Sequence, residues 1–148
     1  MPYRVLFLCT GNYYRSRFAE ILFNHLAPEF APGWSAFSRA LAIELGTHNV
    51  GPLSTHTQKA CADRAIPLPD PLRFPLKAAE EDFESASRII ALKEAEHRAY
   101  MTARFPHWAD KIEYWHVHDL DAADPADACA QIDRHVRNLL ADLAEEKC

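Results

Sequence analysis

The 148-residue chain has no apolar run of membrane-spanning length, no cysteine framework, no basic excess and no repeat or low-complexity tract. Each absence removes a class of function. A spanning helix needs about 20 consecutive apolar residues, so a membrane is not an expected partner. The opening residues, Met1 to Thr10, hold too short an apolar run for a signal peptide. Four cysteines (Cys9, Cys61, Cys129, Cys148) lie scattered without framework spacing, which fits free thiols in a cytoplasmic protein, Cys148 being a terminal and inert one. The formal charge of −5 leaves no broad basic surface, so nucleic acid is not an expected partner either. The eight histidines are dispersed. His116 and His118 alternate on one strand face, but spacing brings them no third ligand, and no metal or other cofactor is expected. What is present, 49% hydrophobic and 25% charged residues, is the composition of one globular domain over 1–148 with a full core.

Periodicity gives an α/β chain. Residues 5–8 read as a buried strand, followed by a helix over 16–26 with Phe18, Ala19, Leu22, Phe23 and Leu26 on one face, ending before Pro28. Further strands are expected over 34–38, 88–92 and 112–117. Residues 47–54 read as a loop, with Ser54 capping a helix to about residue 65. Four prolines make 66–75 an extended connection. A short helical piece at 80–83 and a helix over 93–105 follow. The last helix runs to about 145, with Asp124 as cap, Pro125 at its first position and an apolar stripe of Ile132, Val136, Leu139, Leu140 and Leu143. Strands alternating with helices predict a mainly parallel sheet covered on both faces, with a site beyond the carboxyl ends of the strands.

The chemistry concentrates in Cys9-Thr10-Gly11-Asn12-Tyr13-Tyr14-Arg15-Ser16, between the first strand and the first helix. A Cys-x5-Arg spacing alone is weak, since chance supplies it in about one such chain in five. Its context is specific: it leaves a strand, bends at Gly11-Asn12, where glycine and asparagine best tolerate left-handed backbone, and opens a helix. Such a loop can turn successive N–H groups inward as an anion-binding concavity, with the positive end of the helix at the same point. Both favour a thiolate at its base. Cys9 is thus the candidate nucleophile, and the Ser16 hydroxyl a further donor to it. Arg15 can fork two phosphoryl oxygens, and the amides of residues 10–15 can serve the rest. A leaving alcohol needs a proton, and the segment after the fourth strand offers Asp119 and Asp121 as the acid. The pattern reads as a covalent phosphatase without metal. A buried structural cysteine would leave Arg15 and the Gly-Asn pair unexplained.

On these residues the chain resembles the low-molecular-weight protein tyrosine phosphatases. Val5 to Asn12, Arg15-Ser16 and Phe18-Ala19-Glu20 carry the resemblance. Ser38, Asn49-Val50-Gly51, Ile66-Pro67 and Ile89-Ile90-Ala91-Leu92 leading to Glu96-His97 support it. The resemblance implies a three-layer fold with a four-stranded parallel sheet in the order 2-1-3-4. It also implies hydrolysis of phosphomonoesters, protein phosphotyrosine above all, through a phosphocysteine. By it, Cys9 is the nucleophile, Arg15 the phosphate clamp, Asn12 the loop organiser, Ser16 the thiolate partner and Asp119 the general acid. Thr10, Gly11, Asn12, Tyr13, Tyr14, Arg15 and Ser16 hold the phosphate. The implied partners are a phosphorylated protein or small aryl phosphate, and a phosphate or sulfate ion in the loop.

Four positions depart from the family. Tyr14 replaces the second cysteine of a reversible disulfide. Tyr13 stands where tyrosine phosphatases usually carry isoleucine and arginine-phosphate phosphatases threonine. The acid lies in Asp119-Leu120-Asp121-Ala122 rather than Asp-Pro, which leaves Asp121 in contention. His48 replaces a frequent Trp or Tyr, making Tyr13 and His48 the candidate pocket walls. Two other readings stand beside the phosphatase. Arsenate reduction on the same fold needs resolving thiols, and the segment 91–97 has none. A non-catalytic phosphate- or phosphoprotein-binding module would have no use for a reactive thiolate.

Overall fold

The computed structural model describes residues 3–117 and 125–146. Four parallel strands, β1 (Tyr3–Cys9), β2 (Trp34–Ala40), β3 (Arg88–Ala91) and β4 (Glu113–Tyr114), form one sheet in the order β2-β1-β3-β4. Helices α1 (Arg15–Phe30), α2 (Thr55–Asp63), α3 (Glu80–Ser85), α4 (Glu94–Arg104) and α5 (Pro125–Glu146) cover it. The expected class and strand order are both found.

β1 shows why. It is buried on both faces, so it reads as a continuous apolar run. Its side chains still alternate: Val5 and Phe7 pack into a core with α1, α2 and α5, while Leu6 and Leu8 enter a second core with Phe83 of α3 and Met101 of α4. β1 therefore separates two hydrophobic layers. The stripe Ile132, Val136, Leu139, Leu140 and Leu143 closes the first of them, every member buried. With β2 on one side of β1 and β3 on the other, the chain leaves β1 where strand order reverses. A crevice opens there, at the carboxyl end of the strand that ends in Cys9.

Some expected boundaries move. α1 continues through Pro28 to Phe30. A proline near a helix end removes one hydrogen bond. Here burial of Ala27 and Ala31, joined by the Ala31 N–H to Ala27 carbonyl bond of 2.8 Å, outweighs that loss. β4 spans two residues rather than six, although Trp115 and Val117 still donate backbone bonds to Ala91 and Leu92. A short 3₁₀ turn at Ile43–Gly46 was not legible in the periodicity. Ser54 caps α2 as expected, its hydroxyl accepting from the His56 N–H at 3.1 Å. The expected cap Asp124, the acids Asp119 and Asp121, His118 and Cys148 lie outside the described residues. Among the described residues no helix is long and apolar enough to cross a membrane.

Ile132 is fully buried on α5. Ile132→Ala is expected to lower unfolding free energy by about 2–5 kcal/mol, read as a drop in the urea midpoint at unchanged slope.

Candidate active site

Cys9 ends β1 and is 2% exposed. The next five residues turn back over the strand end, and Arg15 begins α1. The loop's carbonyls face away from its centre. Those of Cys9 and Thr10 accept from the Leu41 and Ala42 N–H groups at 2.9 Å each, and that of Tyr13 accepts from the Ser54 N–H at 3.0 Å. The Tyr14 carbonyl accepts from the Thr57 hydroxyl at 3.0 Å. In a trans peptide the carbonyl and the following N–H point in opposite directions. The N–H groups of Thr10, Gly11, Tyr14 and Arg15 therefore turn toward the loop's interior. The start of α1 adds the first-turn N–H groups that have no partner within the helix itself, and its first turn holds no acidic residue.

Asn12 holds this geometry. It is fully buried and left-handed, with φ of 52°. The positive φ thus falls on Asn12 and not on Gly11. Its Nδ2 donates to Ser16 Oγ and Ser38 Oγ, both at 2.8 Å. Its Oδ1 accepts from Arg73 Nη1 at 3.0 Å and from the Leu76 N–H at 3.1 Å. All four capacities of the amide are used. Ser16 Oγ accepts from Asn12 Nδ2 and lies 2.9 Å from Cys9 Sγ, so its hydroxyl proton is free to serve a thiolate there.

Beneath this amide lies a cation the sequence did not announce. Arg73, in the proline-rich connection, reaches Asn12 with Nη1. Its Nη2 reaches Glu20 Oε1, the Ser38 carbonyl and Ser38 Oγ at 3.0 to 3.1 Å. The Ser38 hydroxyl in turn donates to Glu20 Oε1 at 2.5 Å. Arg17, 2% exposed, donates to the Pro52 carbonyl at 2.9 Å, and its buried Nε has no partner among the described residues. Burial first, and then the Arg73 charge, bring its guanidinium down to about 10, against the opposing pull of Glu20 and Cys9.

Arg15 is 7% exposed. Its Nη2 lies 3.0 Å from Glu96 Oε2, while Nη1 is buried without a partner among the described residues. A buried, unsatisfied guanidinium nitrogen is costly, and an oxyanion in the loop would satisfy it. The adjoining cavity, about 490 Å³, is lined by Cys9, Thr10, Gly11, Tyr13, Tyr14 and Arg15 from the loop, and by Glu96. From the facing segments it takes Leu45, Gly46, Asn49, Ser54, Thr55 and His56. Tyr13 lines it, with its hydroxyl donating to the Val50 carbonyl at 2.6 Å. Tyr14 leans on His56, ring centroids 5.8 Å apart, and donates to the Pro125 carbonyl at 3.2 Å.

His48 does not line the cavity; Asn49 takes that place. The Asn49 N–H bonds the Gly46 carbonyl at 3.1 Å, a tight turn that carries the Asn49 side chain inward over the loop. A Cβ on Gly46 would sit 2.8 Å from Asn49 Nδ2 and would push that side chain out of its place over the loop. Glu96, Arg73, Arg17 and His56 were missed because their roles come from spatial partners. The sequence signal for Glu96 was its place in a segment matching the family, without a role attached.

His97, fully buried behind Glu96, gives the site a pH signature. Burial holds its ring below the ordinary value of 6.5, so it is neutral at pH 7. The Glu96 carboxyl is held down to about 2 by the His97 contact and the Arg15 charge, against burial. In both cases the unfolded chain binds more protons in the affected window. Stability is therefore expected to fall as pH drops through 6.5 for His97 and again from 4.5 toward 2 for Glu96. Urea midpoints from about pH 7.5 to 5 should fall in the wild type and fall less in His97→Asn.

The chain matches known proteins along nearly its whole length. The model for "Low molecular weight phosphotyrosine protein phosphatase" matches residues 4–148. A protein-arginine-phosphatase of Geobacillus stearothermophilus is 27% identical over 98% of this chain and 93% of its own. The protein-arginine-phosphatase of Bacillus subtilis is 27% identical over 96% of this chain and 92% of its own. Among solved structures, YfkJ from Bacillus subtilis superposes with a TM-score of 0.83 at 23% identity, covering 100% of this chain and 98% of its own. A low molecular weight protein tyrosine phosphatase from T. tengcongensis gives 0.77 at 24% identity, covering 95% and 99%. At these identities the structures speak to the fold. The family match over 4–148 shows that the chain is a cysteine-based phosphatase, a member of the low molecular weight phosphotyrosine protein phosphatase family.

Proposed function

We propose that the protein hydrolyses phosphomonoesters on proteins, phosphotyrosine first, through a phosphocysteine on Cys9. The observation that carries this reading is a buried guanidinium nitrogen of Arg15 with no partner among the described residues, on a residue that lines the same cavity as Cys9. Cys9 Sγ has the Ser16 hydroxyl at 2.9 Å, and Arg15 Nη1 is buried with no partner among the described residues. The Cys9 thiolate attacks phosphorus, an S–P bond forms and the bond from phosphorus to the leaving oxygen breaks. Charge on the three phosphoryl oxygens is met by the Arg15 guanidinium and the inward loop amides. The Ser16 proton stabilises the sulfur as thiolate before attack and as leaving group afterwards. Asp119, with Asp121 as the alternative, gives a proton to the leaving oxygen. The same carboxylate then takes one from the water that attacks phosphorus and releases the cysteine. The substrate is a phosphorylated protein or small aryl phosphate, and a cytoplasmic setting, suited to the free thiols of Cys9, Cys61 and Cys129, belongs to the same reading.

Phosphotyrosine is supported by the cavity's aromatic lining, Tyr13 and Tyr14, against which a phenyl ring can lie. A second reading, phosphoarginine, is favoured by the two relatives named as protein-arginine-phosphatases. The two divide on Tyr13, whose phenol is fixed on the Val50 carbonyl and so holds a rigid wall in place.

With EDTA present, wild type should hydrolyse p-nitrophenyl phosphate, and Cys9→Ser should lose at least about a thousandfold in turnover while still binding phosphate. Asp119→Ala should lose about 10²–10⁴-fold and Asp121→Ala far less; the reverse order would make Asp121 the acid. Normal turnover by Cys9→Ser would defeat the mechanism. A phosphotyrosine and a phosphoarginine peptide of equal sequence, compared by kcat/KM, decide the substrate, and preference for the second would move the assignment to phosphoarginine.

A further inference from the structure

The first turn of α4 touches both ends of the phosphate loop, and nothing in the reaction just described uses it. Glu96 Oε2 lies 3.0 Å from Arg15 Nη2, at the loop's end. His97 Nε2 lies 3.3 Å from Thr10 Oγ1, at the loop's beginning, and 3.3 Å from Glu96 Oε2. The His97 ring is itself fixed. It has no exposed surface, and its Nδ1 accepts from the Lys93 backbone N–H at 3.0 Å. An accepting Nδ1 in a neutral imidazole places the ring proton on Nε2. That proton faces the space between Glu96 and Thr10.

A carboxylate beside a site built for an oxyanion dianion works against binding by simple repulsion. Its retention calls for a compensating gain. Arginine has a long side chain with about 2 kcal/mol of rotamer entropy, and a clamp that must be ordered on binding loses affinity. Glu96 can order it beforehand. A guanidinium carries five N–H groups in one plane. Nη2 stands at ion-pair distance from Glu96 Oε2, a buried oxygen with no hydrogen bond of its own among the described residues, while Nη1, also without a partner among them, stays available to phosphoryl oxygens. The ion pair therefore need not break when phosphate enters.

We propose that Glu96 is a positioning residue for the phosphatase reaction: it presets the plane of the Arg15 guanidinium, while His97 holds the Glu96 carboxylate against the loop. The contact persists across the working pH range, because the carboxyl is held down to about 2. Glu96 itself does not touch the reacting atoms in this scheme. The inference rests on Arg15 clamping phosphate, and not on turnover.

The test is binding of inorganic phosphate by titration calorimetry to wild type, Glu96→Ala and Glu96→Gln. Thermal midpoints and p-nitrophenyl phosphate kinetics are taken on the same preparations. Glu96→Ala is expected to weaken phosphate about three- to tenfold, the entropic cost of ordering one long side chain, with kcat/KM falling in parallel. Glu96→Gln keeps an acceptor oxygen at the same reach and should recover most of that loss. Unchanged or tighter phosphate binding in Glu96→Ala would overturn the proposal. So would equal loss in both variants with a lowered thermal midpoint, the mark of a merely structural ion pair. Should the alanine variant fail to fold, Glu96→Asp decides. Its acceptor is withdrawn by one methylene, so it must bind phosphate more weakly than Glu96→Gln, and equal affinity would overturn the proposal. A wild type that binds phosphate without turning over would fail the phosphocysteine reading and leave this one standing.

Discussion

The site depends on one buried amide. Asn12 adopts a left-handed backbone at a position where the chain must reverse direction above β1. An isolated asparagine tolerates that conformation at modest cost, and here four hydrogen bonds over-determine it. The amide fixes the Ser16 hydroxyl, which faces the sulfur of Cys9. It also fixes the backbone of Leu76, and through Ser38 the end of β2. The loop's outward carbonyls and inward N–H groups follow from the same turn. A preorganised arrangement of this kind is where most of the electrostatic stabilisation in such chemistry resides.

Around that amide the charges are arranged in layers. Arg73 and Glu20 form a pair beneath the loop, partly shielded from solvent. Arg15 and Glu96 form a pair at its rim. Arg17 lies alongside with a carbonyl as its hydrogen-bond partner and no carboxylate bonded to it among the described residues. Arg15, which lines the cavity, keeps a buried guanidinium nitrogen without a partner among the described residues, as a group waiting for an anion would. The aromatic residues Tyr13 and Tyr14 do not close it. One hydroxyl is held by Val50 and the other by Pro125, so both rings serve as walls.

The parts of this arrangement that were legible in the sequence were the local ones. Parallel-strand burial gave β1 as a short apolar run, and the alternation of strands and helices gave the class of sheet. Cys9, Asn12, Arg15 and Ser16 stood out because they share one loop between a strand and a helix, and the structure brings them together there. The partners of those residues did not. Arg73 lies 61 positions from the amide it supports, in a segment whose prolines conveyed only extension. Glu96 carried no sign that it faces Arg15, because helical position alone does not say what stands opposite. The lip of the cavity failed by one residue. The loop over 47–54 was recognised, but the bond between Asn49 and Gly46 decides which side chain points inward, and it selected Asn49 over His48. Pro28 does not end α1, because the burial of Ala27 and Ala31 outweighs the hydrogen bond a proline removes.

The central claim is that phosphorus is transferred to the sulfur of Cys9. The most direct test is to quench turnover of p-nitrophenyl phosphate in wild type and in Asp119→Ala, and to locate any covalent phosphate by intact mass and peptide mapping. The account predicts one phosphoryl group on the peptide carrying Cys9, enriched in the acid-deficient variant and absent from Cys9→Ser. Steady turnover with no phosphoenzyme in any variant, or phosphate mapped to another residue, would contradict it.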